Sequence, residues 1–511
     1  MNIKPPAVSE ASFHVNGELA DLEARSPILD NSLAATGGLV CGTRLQRGSV
    51  CHQVDVHDVH DRRSNPINNI PVEVMQEIFT RCLPSDRYIK PNAYDTPMAL
   101  MQVSSAWRNV AISTSKLWSS LYIMVSNDNH VKSAQLMRVW LERSKQRPIS
   151  LFLCASNASL ANLSEVYAMV VSNIHRMKHL RLSLPFFDRT PLIKLLNSGA
   201  PFLEELEVRL SRNVRQRRNH FHPAGERIPE FTLTASSAPR LRSLIWQNNT
   251  QSFLTPCRFD FSTITELTMH DTLSSEQCVA ILKGCPALRT CRLSCYSMPG
   301  DLLPTEQPIV HSALKHLSIT MSTEGGPLFN RLTLPALEIL RLTDVISAID
   351  DEFDFQLWNQ ATFIDFLRCS RCALTELQLS NVLSSEDELI EVLDLISPSL
   401  EVLHLADVRG ITSIMDRALE LLTVRQAPDG SVTCLCPRLD TIRFGPCLAS
   451  TDGMLADMVE SRWKASEATR GSGSLAIARP RYINPRLDVD HIQDMRRLSA
   501  LREEGLDMPL Y

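Results

Sequence analysis

One six-residue unit recurs along this chain and constrains its fold more than any other feature. The unit is an apolar residue, two variable residues, a second apolar residue, one variable residue and a third apolar residue. It reads Leu203-Glu204-Glu205-Leu206-Glu207-Val208, then Leu241-Arg242-Ser243-Leu244-Ile245-Trp246, and later Leu314-Lys315-His316-Leu317-Ser318-Ile319. Further copies begin at Leu337, Leu374, Leu400 and Leu439, looser ones at Ile264 and Leu288, and Leu180-Arg181-Leu182 lacks the first leucine. From Leu203 to Leu439 the first positions are separated by 38, 23, 24, 26, 23, 37, 26 and 39 residues. The alternating end of each copy has the period of a strand with one buried face. Several copies follow a Pro, as in Ala238-Pro239, Cys285-Pro286, Leu334-Pro335, Ser397-Pro398 and Cys436-Pro437. Pro has no ladder donor and suits the turn just before a strand.

Helix-period segments separate the copies. Ser274–Gly284 is one, and Ser384–Leu393 is another, opening with serines followed by acidic residues as a helix N-terminus prefers. Five of the eight intervals fall in the range of about 20–29 residues typical of leucine-rich repeats, and the array resembles that family. The three long intervals read as units carrying an inserted loop or a longer helix. The resemblance implies an α/β solenoid with parallel strands on the concave face and helices on the convex face. A doubly wound α/β domain also alternates strand and helix. Its strands usually read as continuous Val/Ile runs without a fixed leucine register, so the solenoid is preferred.

A second patterned stretch covers 67–124. Ile70-Pro71-Val72-Glu73 opens a helix with Val74, Ile78 and Cys82 on one stripe and Met75, Phe79 and Leu83 on the next, ended by Pro84. Leu100, Val103, Trp107 and Val110 then mark one apolar face of a second helix, and Leu117-Trp118 follows. About fifty residues make a marginal domain, so part of this apolar surface is expected to pack on a neighbour or partner. The run Ile70–Phe79, then Leu100-Met101-Gln102-Val103-Ser104-Ser105-Ala106-Trp107-Arg108, then Leu117-Trp118 resembles the F-box motif. It is most similar to the fungal form, whose first two helices are separated by an insertion containing Cys-Leu-Pro, here Cys82-Leu83-Pro84. Two departures are Ile70 where Leu is usual and Ser104-Ser105-Ala106 where a Cys-Arg-Arg-type run is usual. The resemblance implies docking on the Skp-type adaptor of a Skp–cullin–F-box ubiquitin ligase. Pro71, Val74, Ile78, Leu100, Val103, Trp107, Leu117 and Trp118 match the motif positions, some facing the adaptor and some filling the core. Which do which is left open by the sequence.

The expected organisation is therefore α+β overall. A polar arm over 1–66 precedes the F-box-like module at 67–124. An array with a linker helix at its start, near His130–Ser144, spans 125–465, and a linker and C-terminal helix follow over 466–511. The linker is read from Arg470-Gly471-Ser472-Gly473-Ser474 and the helix from Asp488 to about Gly505.

On the array, residues just after the middle apolar position should point away from the core, because strand side chains alternate. These are Arg181, Glu207, Ile245, Thr268, Arg292, Ser318, Arg341, Gln378, His404 and Arg443. Of these, Arg181, Glu207, Arg292, Arg341, Gln378, His404 and Arg443 form the candidate substrate face. Glu205, Glu266 and Glu376 offset its arginines, so the face reads as mixed in sign and no phosphate reader is inferred.

Composition excludes more than it identifies. Lys plus Arg is 52 against 57 for Asp plus Glu, which argues against a surface built wholly for nucleic acid. The chain begins with polar sequence and has no apolar run of 18 residues, so a reducing cytoplasmic or nuclear setting is expected and its 14 Cys are expected to pack as thiols. No Walker loop, dinucleotide glycine pattern, nucleophile elbow or His-Glu-x-x-His occurs, and the chain reads as a non-enzyme without cofactor or metal. Weaker features are the His52–Asp61 cluster, Cys369/Cys372 with Cys434/Cys436, and the basic stretch Arg212–His222. All three are read as structural or solvated. The sum is a substrate receptor of a cullin-based ligase, with a leucine-rich scaffold outside ubiquitination as the alternative.

Overall fold

The structure is a computed structural model that describes residues 70–155, 158–185, 199–211, 236–248, 261–296, 308–321, 326–344, 358–383, 385–407, 414–426, 432–445, 447–468, 477–485, 487 and 490–509. The arm, the His52–Asp61 cluster, the basic stretch at 212–222 and the Gly/Ser segment at 470–474 lie outside the described residues. The described chain divides into two compact units. One holds residues up to 123 together with 129–147, and the other holds 124–128 and everything from 148 onward.

The first unit is helical. Helix α1 (Val72–Arg81) starts directly after Pro71, carries Glu73 in its first turn and Arg81 in its last, and so suits the helix dipole at both ends. The single helix expected from Leu100 to Val110 is instead two: α2 (Leu100–Val103) and α3 (Ser105–Ser113). The break is at Ser104, whose backbone is extended and whose hydroxyl accepts the Trp107 N–H at 3.1 Å. A serine that bonds the backbone locally competes with helix continuation and serves better as an N-cap. A 3₁₀ turn at Ser115–Trp118 leads into strand β1 (Ser120–Val125), which runs on into the second unit. Helix α4 (His130–Arg143) belongs to this unit, a correction to its expected place at the start of the array. The reason is its Trp140, which meets Trp118 edge-on at 4.7 Å between ring centres and donates to Ser120 O at 3.0 Å.

The second unit is a mixed α/β, solenoid-like structure organised on one long parallel sheet. Its strands are β2 (Ile149–Ala155), β3 (Met177–Pro185), β4 (Glu205–Ser211), β5 (Ser243–Asn248), β6 (Glu266–Ser274) and β7 (Thr290–Tyr296). After β8 (Ile309–Val310) come β9 (His316–Met321), β10 (Leu332–Thr333), β11 (Ile339–Asp344), β12 (Glu376–Ser380) and β13 (Val402–Ala406). The hairpin strands β14 (Arg425–Gln426) and β15 (Val432–Thr433) precede β16 (Thr441–Phe444) and β17 (Tyr482–Pro485). From β2 the sheet order is β2-β3-β4-β5-β6-β7-β9-β11-β12-β13-β16-β17, every neighbour next in the chain among long strands. A doubly wound sheet reverses its strand order at a switch point, and this one never does.

The repeat register explains the order. Leu203, Leu241, Ile264, Leu288, Leu314, Leu337, Leu374, Leu400 and Leu439 are all 0% exposed. The middle positions Leu180, Leu206, Leu244, Leu267, Cys291, Leu317, Leu340, Leu377, Leu403, Ile442 and Ile483 lie side by side in one buried row. Each unit thus buries three apolar side chains against its neighbours, an arrangement that only stacking can satisfy. The Pro residues sit where the turn needs them. Leu241, Leu288, Leu337 and Leu439 each donate their N–H three residues back, to Ala238, Cys285, Leu334 and Cys436, with Pro as the second turn residue.

Helices α5 (Leu160–Asn173), α6 (Ser275–Gly284), α7 (Gly326–Phe329), α8 (Gln360–Ser370), α9 (Glu386–Ile396), α10 (Asp416–Leu422) and α11 (Met454–Ala468) lie between the strands in the chain, and α12 (Ile492–Glu503) follows the last of them. Ser274 and Gln277 form a capping box on α6, and Ser385 caps α9. The expected helix per unit is not kept throughout. The unit after β7 carries β8, which pairs in parallel with β10, and the sequence there is Pro308-Ile309-Val310 and Leu332-Thr333, β-prone and poor in helix formers. The long interval from Leu400 to Leu439 holds α10 followed by the β14–β15 hairpin.

The boundary expected at 465 falls inside α11, and the array continues beyond it. Strand β17 extends the sheet, and α11 and α12 cap each other reciprocally. Asp452 accepts the N–H groups of Gln493 and Asp494 at 2.9 and 3.0 Å, while Asp494 accepts that of Ala456 at 2.7 Å. Arg497 pairs with Asp457 at 2.7 Å and Glu460 at 2.8 Å. Beneath them Arg462, 0% exposed, donates to the carbonyls of Leu422, Leu435 and Cys436. Polar terminal elements of this kind close the end of a stack.

Candidate functional site

The eight F-box-like residues separate by burial. Leu117 and Trp118 are 0% and 1% exposed, and Leu100 is also buried. Trp118 donates to Ala111 O at 2.9 Å and lies under the Arg143 guanidinium at 4.4 Å. Trp107 is half-buried and packs its ring on Phe79 at 4.9 Å. Pro71, Val74, Ile78 and Val103 are exposed, the last three at 48%, 42% and 59%. The two stripes of α1 therefore have different work. Met75 and Phe79 enter the core, whereas Val74 and Ile78 lie open in a shallow depression with Glu73, Glu77 and Arg81 at its sides. Val72, 51% exposed, extends the open set and was not among the residues singled out by sequence. An apolar stripe bordered by charge is the form of a contact surface, not of a core.

On the second unit, the candidate face residues form one continuous row. Paired strand to strand, it runs Phe152, Arg181, Glu207, Ile245, Thr268, Arg292, Ser318, Arg341, Gln378, His404, Arg443, Asn484. All seven of Arg181, Glu207, Arg292, Arg341, Gln378, His404 and Arg443 are on it, and none is buried. Phe152 and Asn484 extend it at the ends. Their strands lack the leucine signature because Pro148 and Pro480 stand where the unit's first leucine would.

Ion pairs tie parts of the row down. Arg181 approaches Glu207 at 3.2 Å and also covers the Phe152 ring, and Arg209 meets the same carboxylate. Arg341 holds Glu376 at 2.7 Å. Partial burial together with Arg443 and Arg341 keeps the His404 imidazole below its ordinary pKa, Glu376 offsetting part of this. Burial, Arg209 and Arg292 act likewise on His270, against Glu207. Both rings are therefore neutral hydrogen-bonding groups at neutral pH.

The thiols read as packing groups. Cys278, Cys285, Cys291, Cys295, Cys436 and Cys447 are buried, and Cys291 fills a leucine position of the middle row. Burial raises Cys436 and Cys447 to about 12 and Cys372 to about 11. Among the described residues no group of three or more His, Cys, Asp or Glu could hold a metal ion, and no helix is long and apolar enough to cross a membrane.

No model of a known protein family matches the chain, and no curated protein matches it.

Proposed function

We propose that the protein is the substrate receptor of a Skp–cullin–F-box ubiquitin ligase. In this reading it has no catalytic group or cofactor of its own and works in the cytoplasm or nucleus, away from membranes and nucleic acids. The helical unit docks on the Skp-type adaptor, and the leucine-rich-repeat array presents a protein substrate across its strand face, helices lying on the convex side. The mechanism is proximity: holding the substrate beside a ubiquitin-loaded enzyme raises the effective concentration of its lysines. One observation carries the reading. Within the F-box-like motif, Pro71, Val74, Ile78 and Val103 are apolar and open, although the same motif buries Leu100, Leu117 and Trp118. Burial of four such side chains is what a docking partner would supply.

The test is co-purification of the adaptor and cullin with full-length protein and with a deletion of 67–124, together with the half-life of captured proteins. A receptor loses the ligase with that deletion, and its substrates persist. It loses the substrates themselves when 200–448 is deleted. A leucine-rich scaffold outside ubiquitination would keep its partners at unchanged half-life in every case.

A further inference from the structure

The open strand face is polarised in charge along its length. Over β2–β6 it carries Arg181 and Arg209 against Glu205, Glu207 and Glu266. Over β7–β17 it carries, among the described residues, Arg292, Arg341 and Arg443 against Glu376. At the edge where these strands begin, opposite charges are tied together as Lys178–Glu204, Lys315–Glu338 and Arg481–Asp440, and within the β7–β17 half the remaining Arg289 and Glu401 offset each other in sign. The cationic surplus thus stands on the middle row.

Its members are available in different degrees. Arg292 is exposed and has no ion-pair partner among the described residues. Arg443 is exposed and lies over the Tyr482 ring at 5.0 Å. Arg341 directs Nε and Nη2 at one Glu376 oxygen and keeps Nη1. Between them stand Ser318, Gln378 and His404, short or neutral groups that can donate or accept without adding charge.

We propose that the β7–β17 half of this face binds an extended, carboxylate-bearing protein segment laid across the strands. This deepens the receptor reading and rests on it. Parallel strands lie about 4.8 Å apart, so Arg292 and Arg341 stand about 10 Å apart, and Arg341 and Arg443 about 14 Å. An extended chain advances about 3.3 Å per residue and turns alternate side chains to one side. Asp or Glu side chains that face the sheet therefore match these arginines at spacings of about two to four and then about four residues, always even. The spacing also chooses carboxylate over phosphate. A phosphate dianion is held by several converging donors, whereas here the guanidiniums stand singly and one is already shared with Glu376.

The test uses the full chain and fluorescence anisotropy with labelled Gly/Ser peptides carrying three Glu at that spacing. Gln-substituted and phosphoserine-substituted versions of the peptide are run alongside. The Glu peptide should bind about tenfold tighter than the Gln peptide, with the preference declining as salt rises. Arg292→Glu with Arg443→Glu should erase the preference, the milder R292Q/R443Q pair should reduce it, and Arg368→Ala, an exposed arginine on helix α8 away from the strand face, should leave it intact. Equal binding of Glu and Gln peptides overturns the proposal, as does a preference that survives both double variants or binding confined to the phosphoserine peptide. Adaptor binding measured on the same preparation separates the two readings. If it is retained while the peptides show no preference, only the ligand class fails.

Discussion

The two units treat their patterned apolar residues in opposite ways. In the array, all nine first positions from Leu203 to Leu439 are fully buried, and the pattern is consumed by the core. In the helical unit, the motif is divided, with Phe79, Leu117 and Trp118 inside and Val74, Ile78 and Val103 at the surface. A repeat must bury its leucines because each unit has no other core, whereas a short helix with two stripes has apolar surface left over. What a pattern means therefore depends on whether the fold can absorb it.

Truncation sharpens this contrast most. Leu340→Ala, at a 0% exposed position between Leu317 and Leu377, should cost about 2–5 kcal/mol. Ile78→Ala should stay within about 0.5 kcal/mol, because its side chain is already in water. Chemical denaturation followed by tryptophan fluorescence compares them, and equal losses would erase the distinction between the units.

Acid should act next, at the far end of the array. The Thr451 hydroxyl and N–H lower the Asp416 carboxyl, and the Arg497 hydrogen bond lowers that of Glu460. Burial works to raise Asp452, but the N–H groups of Gln493 and Asp494 outweigh it and its net direction is down. A lowered native pKa means that the folded state holds its proton less tightly than the unfolded state. The stabilisation is present above the ordinary carboxyl value and is lost as pH falls through the native one, so below about 4. Burial raises Asp494, whose contribution has the opposite sign and grows in acid. The net expectation is faster amide exchange, corrected for intrinsic rate, in 451–468 and 491–504 at about pH 3 than in β9–β13. Equal protection would show that the cross-capping carboxylates do not hold this end.

The smallest effect is a difference of rates. Cys82 and Cys369 are exposed, while Cys291, Cys436 and Cys447 are buried with raised pKa. Site-resolved mass spectrometry after brief alkylation should find the first two modified and the last three protected. Rapid labelling of Cys291 would mean that the middle row opens.

Much of the array was legible in the sequence because one constraint repeats. The leucine register gave the strand positions, and period two gave the open row, down to Arg292 and His404. The terminal strands were hidden by Pro148 and Pro480, which fill a leucine's place without resembling it. Local chemistry hid the rest. Ser104 breaks a helix whose apolar spacing is unbroken, and Trp140 draws α4 into the helical unit through a ring contact that no periodicity reveals. The division of the F-box-like residues needed a tertiary answer, since Val74 and Met75 differ only in which side of α1 the core lies.

The most direct measurement is titration of the purified full chain with a purified Skp-type adaptor, for wild type and for Val74→Glu with Ile78→Glu. The wild type should bind, and the double variant should bind about a hundredfold or more weaker with an unchanged melting temperature. Failure of the wild type to bind, or a double variant that binds as well as the wild type, would contradict docking through α1.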